Sequence, residues 1–244
     1  KISMIKVCLY GASGKMGHSF ISESLKDGEV EVTNFIVKSD SKFSNVDLGK
    51  DFEELKGKKY SSSPHEAFDL IVDFATADDV FGRLKNFKSL KKPVIFCSTG
   101  VSDADILTLK NLSSEIPIFI APNTSIYIGL IQNFLKKLSR MPFNHEIKIT
   151  EKHHESKKDQ PSGTAVELAE NLNAEKESIE SIREGNDGNW HKIQLISDLE
   201  ELELTHIASN RTIYAQGALK IVKWFYQKPK NLYYMQTLIE DLYE

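Results

Sequence analysis

The sequence predicts an α/β protein in two parts: a doubly wound domain on a parallel sheet, then a smaller α+β domain with a mixed, open sheet. Three observations predict it. Short β-branched runs alternate with helical patterns from Met4 onward; a glycine-spaced turn joins the first run to the first helix; and beyond Ser125 the pattern shifts to apolar–polar alternation, as in strands with one wet face.

Ile5–Tyr10, Val30–Val37, Leu70–Phe74, Val94–Cys97 and Ile118–Ile120 are apolar enough to be buried on both faces, as parallel strands are. Helices are expected in the gaps. Met16–Leu25, Asp78–Leu90 and Asp103–Leu112 space apolar residues by three and four, and Ser102 or Asp103 suits a cap on the last. After Ser125 the pattern predicts a helix through Phe134 and Leu138, a strand at Glu146–Glu151, a polar loop ending in Pro161-Ser162-Gly163-Thr164, and a helix from Ala165 to about Leu172. Ser178–Arg183, His191–Ile196 and Glu201–Thr205 alternate as antiparallel strands do. A helix from Arg211 through Trp224 and Phe225, and another from Leu232 onward, carry apolar stripes suited to a return to the first domain. The expected domains are 1–124 with 209–244, and 125–208.

A length of 244 residues supports such cores without a disulfide or metal staple. A net charge of -4 with 27% charged residues leaves no footprint for nucleic acid or an anionic membrane, so small molecules are the expected ligands. No apolar stretch approaches the roughly 18 residues of a membrane span, and the N-terminus, with Met4 suited to be the natural start, lacks a signal-peptide layout. Cys8 and Cys97 sit inside apolar runs, which suits a reducing, cytoplasmic setting.

Gly11-Ala12-Ser13-Gly14-Lys15-Met16-Gly17 follows the first strand and opens the first helix with the spacing G-x-x-G-x-x-G. Gly11 suits the tight turn, Gly14 a close pyrophosphate, and Gly17 close helix–strand packing, while amides at the helix start bind the anion. The first domain is therefore expected to be a Rossmann-like dinucleotide-binding domain. Where many such folds place an acidic residue for the adenosine ribose, Lys38-Ser39-Asp40 stands. Lys38 with Ser39 suits the 2'-phosphate of NADPH, Asp40 suits the bare ribose of NADH, and a solvated turn accounts for the lysine equally well.

The stretch from Glu151 to Ala165 holds two histidines and a lysine ahead of Pro161-Ser162-Gly163-Thr164, where free amides and hydroxyls at a helix start make a seat for a carboxylate. Imidazole, ammonium and helix start together suit an anionic substrate that must also receive a proton. The composition alone suits a solvated loop as well. A metal is not expected, since adjacent histidine side chains diverge and no H-E-x-x-H or CxxC partner exists.

This run reads E-x-H-H-x-x-K-x-D-x-P-S-G-T-A and resembles the signature of dihydrodipicolinate reductases at every fixed position. Asp73-Phe74, Ser98-Thr99-Gly100, Ala121-Pro122-Asn123, Leu204–Arg211, Gly217-Ala218 and Trp224 resemble further family segments. The resemblance implies reduction of 4-hydroxy-tetrahydrodipicolinate (dihydrodipicolinate) by NADPH and/or NADH in diaminopimelate and lysine biosynthesis. It implies His153 as general acid, Lys157 as its partner, and His154, Gly163 and Thr164 as contacts to a dicarboxylate. Phe74, Ser98, Thr99, Gly100, Ala121, Pro122 and Asn123 join Gly11–Gly17 as cofactor contacts, Asn123–Gly129 becomes the hinge, and the second domain builds a homotetramer. Departures lie at Ala75, Cys97, Thr124, Tyr127, Gly129 and Asn189-Trp190, mostly around the cofactor cleft and hinge. An aspartate dehydrogenase on the same scaffold would have no need of the His-His-x-x-Lys loop, and a dinucleotide sensor would leave it idle.

Overall fold

The computed structural model describes residues 4–141, 145–185 and 188–243, so the three residues before Met4 lie outside it. In chain order the elements begin β1 (Ile5–Tyr10), α1 (Lys15–Asp27), β2 (Val30–Ile36), β3 (Leu70–Asp73), α2 (Val80–Leu90), β4 (Val94–Phe96), α3 (Asp103–Leu112) and β5 (Ile118–Ile120). They continue with α4 (Ile126–Leu138), β6 (Glu146–His153), α5 (Gly163–Asn171), β7 (Ile179–Arg183), β8 (Asn189–Ile196) and β9 (Glu201–Ala208). The chain closes with α6 (Thr212–Phe225), β10 (Leu232–Tyr234) and α7 (Met235–Tyr243). It divides into two compact units, one running to Thr124 and resuming over Tyr214–Leu238, the other formed by Ser125–Ile213 and the residues after Leu238.

The first unit holds a six-stranded sheet in the order β10-β5-β4-β3-β1-β2, parallel throughout. Its strands are apolar on both sides because both faces are covered; β3, β4 and β5 bury every residue. The chain starts at β1, places β2 on one side and β3 on the other, and so reverses its direction of winding between β1 and β3. Loops leaving the carboxyl ends of those two strands diverge there, which is where α/β sheets form ligand crevices.

Two expectations are corrected in this unit. The passage from β2 to β3 holds no α-helix, only 3-10 turns at Leu48–Lys50 and Glu53–Leu55. Side chains there take the backbone bonds a helix would make for itself: Asp47 accepts from the amides of Gly49 and Gly57, and buried Asn34 accepts from those of His65 and Glu66. Leu232–Tyr234, read as the start of a helix, is instead an edge strand paired with β5, and α7 starts at Met235. Tyr233 sets its ring 5.5 Å from Phe225 and 5.8 Å from Trp224, and those two pack on Phe119, so α6 covers the β5 side of the sheet.

The second unit has the sheet order β7-β6-β8-β9. β6 is antiparallel to β8, and β8 to β9, but β7 runs parallel to β6, against the antiparallel reading of Ser178–Arg183. The reason is the crossover through α5, which returns the chain to the end of the sheet where β6 began. Alternation puts Ile149, Glu151 and His153 of β6, and His191, Ile193 and Leu195 of β8, on the buried side. There Ile149, Ile193 and Leu195 pack with Leu135 of α4 and Ala165, Leu168 and Ala169 of α5. Each fully buried leucine or isoleucine contributes about 1.5–3 kcal/mol relative to exposure.

Candidate active site

β1, β3, β4 and β5 lie side by side and parallel, so Gly11–Gly17, Phe74, Ser98–Gly100 and Ala121–Asn123 all leave from one edge of the sheet. Gly11 has φ +73°, and a Cβ added there would fall 2.7 Å from the Phe74 carbonyl; at Gly17 it would fall 2.3 Å from the Gly11 oxygen. Gly14 caps α1 without a side-chain hydrogen bond, so no N-cap side chain competes with an anion for the first-turn amides. The cradle fits a pyrophosphate: Ala12 is buried and offers only backbone, while Gly14 and Lys15 are exposed and Ser13 and Met16 half-buried.

One guanidinium, unassigned from the sequence, braces these loops. Arg83 Nε lies 3.0 Å from Asp73 Oδ2, its Nη1 donates to the Asp78 carbonyl at 2.6 Å and its Nη2 to Ser98 Oγ at 3.1 Å. Burial pushes the Asp73 carboxyl up, outweighing the opposing pull of Arg83 and the Ala75 amide. Ser98 in turn donates to the Ala75 carbonyl at 2.7 Å, so its hydroxyl is engaged within the protein, while Thr99 and Gly100 are exposed. Lys38, just past β2, is exposed with Nζ 3.1 Å from Asp78 Oδ2.

In the second unit the residues singled out in the sequence separate. His153, the last residue of β6, is buried, whereas His154 is half-buried and bonds Ser156 Oγ through Nδ1 at 2.8 Å. Lys157 reaches Asp159 Oδ1 at 2.8 Å. Burial raises the Asp159 carboxyl, but its bond to Lys157 more than reverses this and holds it below the ordinary range. Gly163 and Thr164 open α5, with Ser162 as N-cap accepting from the Ala165 amide at 3.2 Å. Amides at that helix start face a position suited to a carboxylate.

The bracing groups around His153 escaped sequence reading. Glu151 shares the inward face of β6 with His153, two residues apart, and accepts a hydrogen bond from His153 Nδ1 on one oxygen. Its other oxygen lies 2.8 Å from Arg183 Nη2 and accepts from the Ser162 amide at 3.3 Å. Burial raises the Glu151 carboxyl, yet the bonds from His153 and Arg183 overcome this and hold it well below the usual range. An ionised carboxylate only accepts, so His153 donates through Nδ1, and a proton for transfer at Nε2 is the second proton of the imidazolium, whose charge Glu151 faces. Arg183 also donates to the Asp159 carbonyl at 2.6 Å, tying the loop down. The signal for Glu151 was the period of two on a strand; for Arg183 it was the register, which sets it opposite His153 and is invisible until β7 is known to pair with β6.

Ligand atoms of Glu151, His153 and His191 lie within 4.8 Å of one another. A cation among them would stand beside the Arg183 guanidinium, which already neutralises Glu151, so the donor set suits proton transfer better than metal binding.

Comparison with known proteins adds the following. Residues 5–124 match the family described as dihydrodipicolinate reductase, N-terminus, and residues 128–239 match dihydrodipicolinate reductase, C-terminus. A 4-hydroxy-tetrahydrodipicolinate reductase of Wolbachia sp. subsp. Drosophila simulans (strain wRi) is 30% identical over 96% of this chain and 99% of its own. One from Clostridium perfringens (strain SM101 / Type A) is 32% identical over 93% of this chain and 94% of its own. Among solved structures, dipicolinate-bound dihydrodipicolinate reductase from Paenisporosarcina sp. TG-14 superposes with a TM-score of 0.72 at 19% identity, over 95% of this chain and 97% of that one, a likeness of fold. Among the described residues no helix is long and apolar enough to cross a membrane.

Proposed function

The chain belongs to the dihydrodipicolinate reductase family, and from that premise we propose how its own residues carry the reaction. It is a 4-hydroxy-tetrahydrodipicolinate reductase, an oxidoreductase of lysine and diaminopimelate synthesis that uses a nicotinamide dinucleotide. When bound, the reduced nicotinamide supplies the hydride. Gly11–Gly17 would hold the pyrophosphate, with Phe74, Thr99, Gly100, the backbone of Ser98, and Ala121–Asn123 along the same sheet edge.

Loss of the 4-hydroxyl as water gives the conjugated ring; hydride addition then leaves negative charge on that dicarboxylate, and a proton must cancel it. His153 gives that proton from Nε2, because Glu151 fixes the ring through Nδ1. Lys157 leaves Asp159 to face the developing charge, an exchange of one anionic partner for another. The first turn of α5, through Gly163 and Thr164, and His154 take the carboxylates. The single observation that carries this reading is the Glu151 carboxylate, which bonds His153 with one oxygen and the Ser162 amide with the other, joining the acid to the seat.

Both cofactors are accepted in this reading. NADPH gains Lys38 for its 2'-phosphate but must displace Asp78, whereas NADH leaves that pair intact. Cytoplasmic location and a homotetramer built on the second unit's sheet complete the proposal; exposed Leu202 and Ile207 on β9 support the assembly.

The test is His153→Gln, measured for turnover and, separately, for NADPH binding by fluorescence. We expect kcat to fall by roughly 10²-fold or more with dinucleotide affinity unchanged. A kcat within a few-fold of wild type removes His153 from the role.

A further inference from the structure

Two buried histidines have no part in the mechanism above. His191 on β8 and His206 on β9 are 3% and 6% exposed and face each other across the strand pair. Their ring centroids are 6.4 Å apart, and His191 lies 5.2 Å from His153. A buried imidazole needs a hydrogen-bond partner, and each finds the N-cap serine of a helix: His191 Nε2 meets Ser162 Oγ of α5 at 3.3 Å, and His206 Nε2 meets Ser125 Oγ of α4 at 3.3 Å.

Ser162 Oγ accepts from the Ala165 amide with one lone pair, and its proton and second lone pair remain for the bond with His191 Nε2. Burial, with the nearby charge of His153 adding to it, pushes His191 down to about 3 and keeps it neutral. Nδ1 of His191 has no hydrogen-bond partner among the described residues, so the ring bonds through Nε2 alone. Ser162 is thus gripped twice, its amide by Glu151 and its hydroxyl by His191, and both grips lead back to His153: one by hydrogen bond, one by ring contact.

We propose that His191 is a positioning residue for the reduction: it fixes Ser162, and with it the start of α5 that receives the substrate carboxylate, in register with the acid His153. The proposal rests on the reading of Ser162–Thr164 as that seat. Substitution separates the hydrogen bond from mere packing, because a glutamine amide reaches the place of Nε2 and an asparagine amide only that of Nδ1.

The experiment compares His191→Gln, His191→Asn and Ser162→Ala by steady-state kinetics and by calorimetric titration with dipicolinate. His191→Asn and Ser162→Ala are expected to raise KM for the ring substrate and Kd for dipicolinate by about tenfold, a loss of roughly 1.4 kcal/mol, with Kd for NADPH unchanged. His191→Gln returns both to within about threefold of wild type, and the double variant His191→Asn with Ser162→Ala is no worse than either single one. Wild-type dipicolinate affinity in His191→Asn, or a Gln variant as poor as Asn, overturns the proposal. Should His191→Asn not fold, Ser162→Ala decides alone: unchanged KM and Kd overturn it. Full turnover in His153→Gln would mark failure of the underlying reading instead.

Discussion

A carboxylate as deeply buried as that of Glu151 stays ionised only because donors meet it, His153 at one oxygen and Arg183 at the other. Glu151→Gln keeps the shape and removes the charge, stranding a guanidinium that is itself only 12% exposed. Breaking one partner of a buried pair costs about 3–5 kcal/mol, and urea unfolding should show a loss of that order together with reduced turnover. A loss under about 1 kcal/mol would mean the pair is effectively solvated. At this scale the proposed site residues His153, His154, Lys157, Gly163 and Thr164 could be singled out in the sequence, because they stand in one continuous run that resembles the family signature. The sequence hid those joined by tertiary contact: Arg183 and His191 sit in alternating strands like any polar residue, and only register brings them to Glu151 and His153.

Among the elements, β1, β5 and α3 were legible end to end, since a doubly buried run or an amphipathic run with a Ser102 capping box is determined locally. The passage from β2 to β3 was not, because Asn34 and Asp47 organise it through side-chain bonds that leave no periodicity. Nor was β10, where a three-residue apolar run fits either period and its pairing with β5 decides. The glycine turn was legible for a steric reason that can be tested. Gly17→Ala would press a methyl into the backbone of Gly11 and Ala12, with contacts of 2.3 and 2.6 Å. It should destabilise by roughly 1–3 kcal/mol and weaken binding of either dinucleotide. A variant with wild-type melting temperature and affinity would show that α1 and β1 do not pack as closely as described.

For the whole molecule, acid sensitivity follows from the buried histidines. Burial lowers His191 to about 3 and lowers His206 as well, whereas an unfolded histidine titrates near 6.5. The unfolded chain therefore binds more protons, and the stability these rings contribute is full above pH ~6.5 and lost as pH falls toward 3. Glu151, held low, has the same sign, but its loss begins only below the ordinary carboxylate range, near pH ~4.5. Between pH 7 and 5, His191 alone should cost about 2 kcal/mol, and His191→Gln should flatten that slope; an unchanged slope would assign the sensitivity elsewhere. The cofactor question is also settled in solution: Asp78→Asn frees Lys38 and should shift preference toward NADPH severalfold, and an unchanged NADPH/NADH ratio would take Lys38 out of the site.

The most direct measurement follows absorbance of NADPH, and separately of NADH, when the protein meets ring substrate made in place by a synthase from pyruvate and aspartate semialdehyde, with Lys157→Ala alongside. Cofactor oxidation by the wild type is expected, with a fall of roughly 10²–10⁴-fold in kcat/KM for the variant. If wild type and Lys157→Ala oxidise the cofactor equally, Lys157 assists no proton delivery and the acid loop from Glu151 to Thr164 is not the site of the reaction.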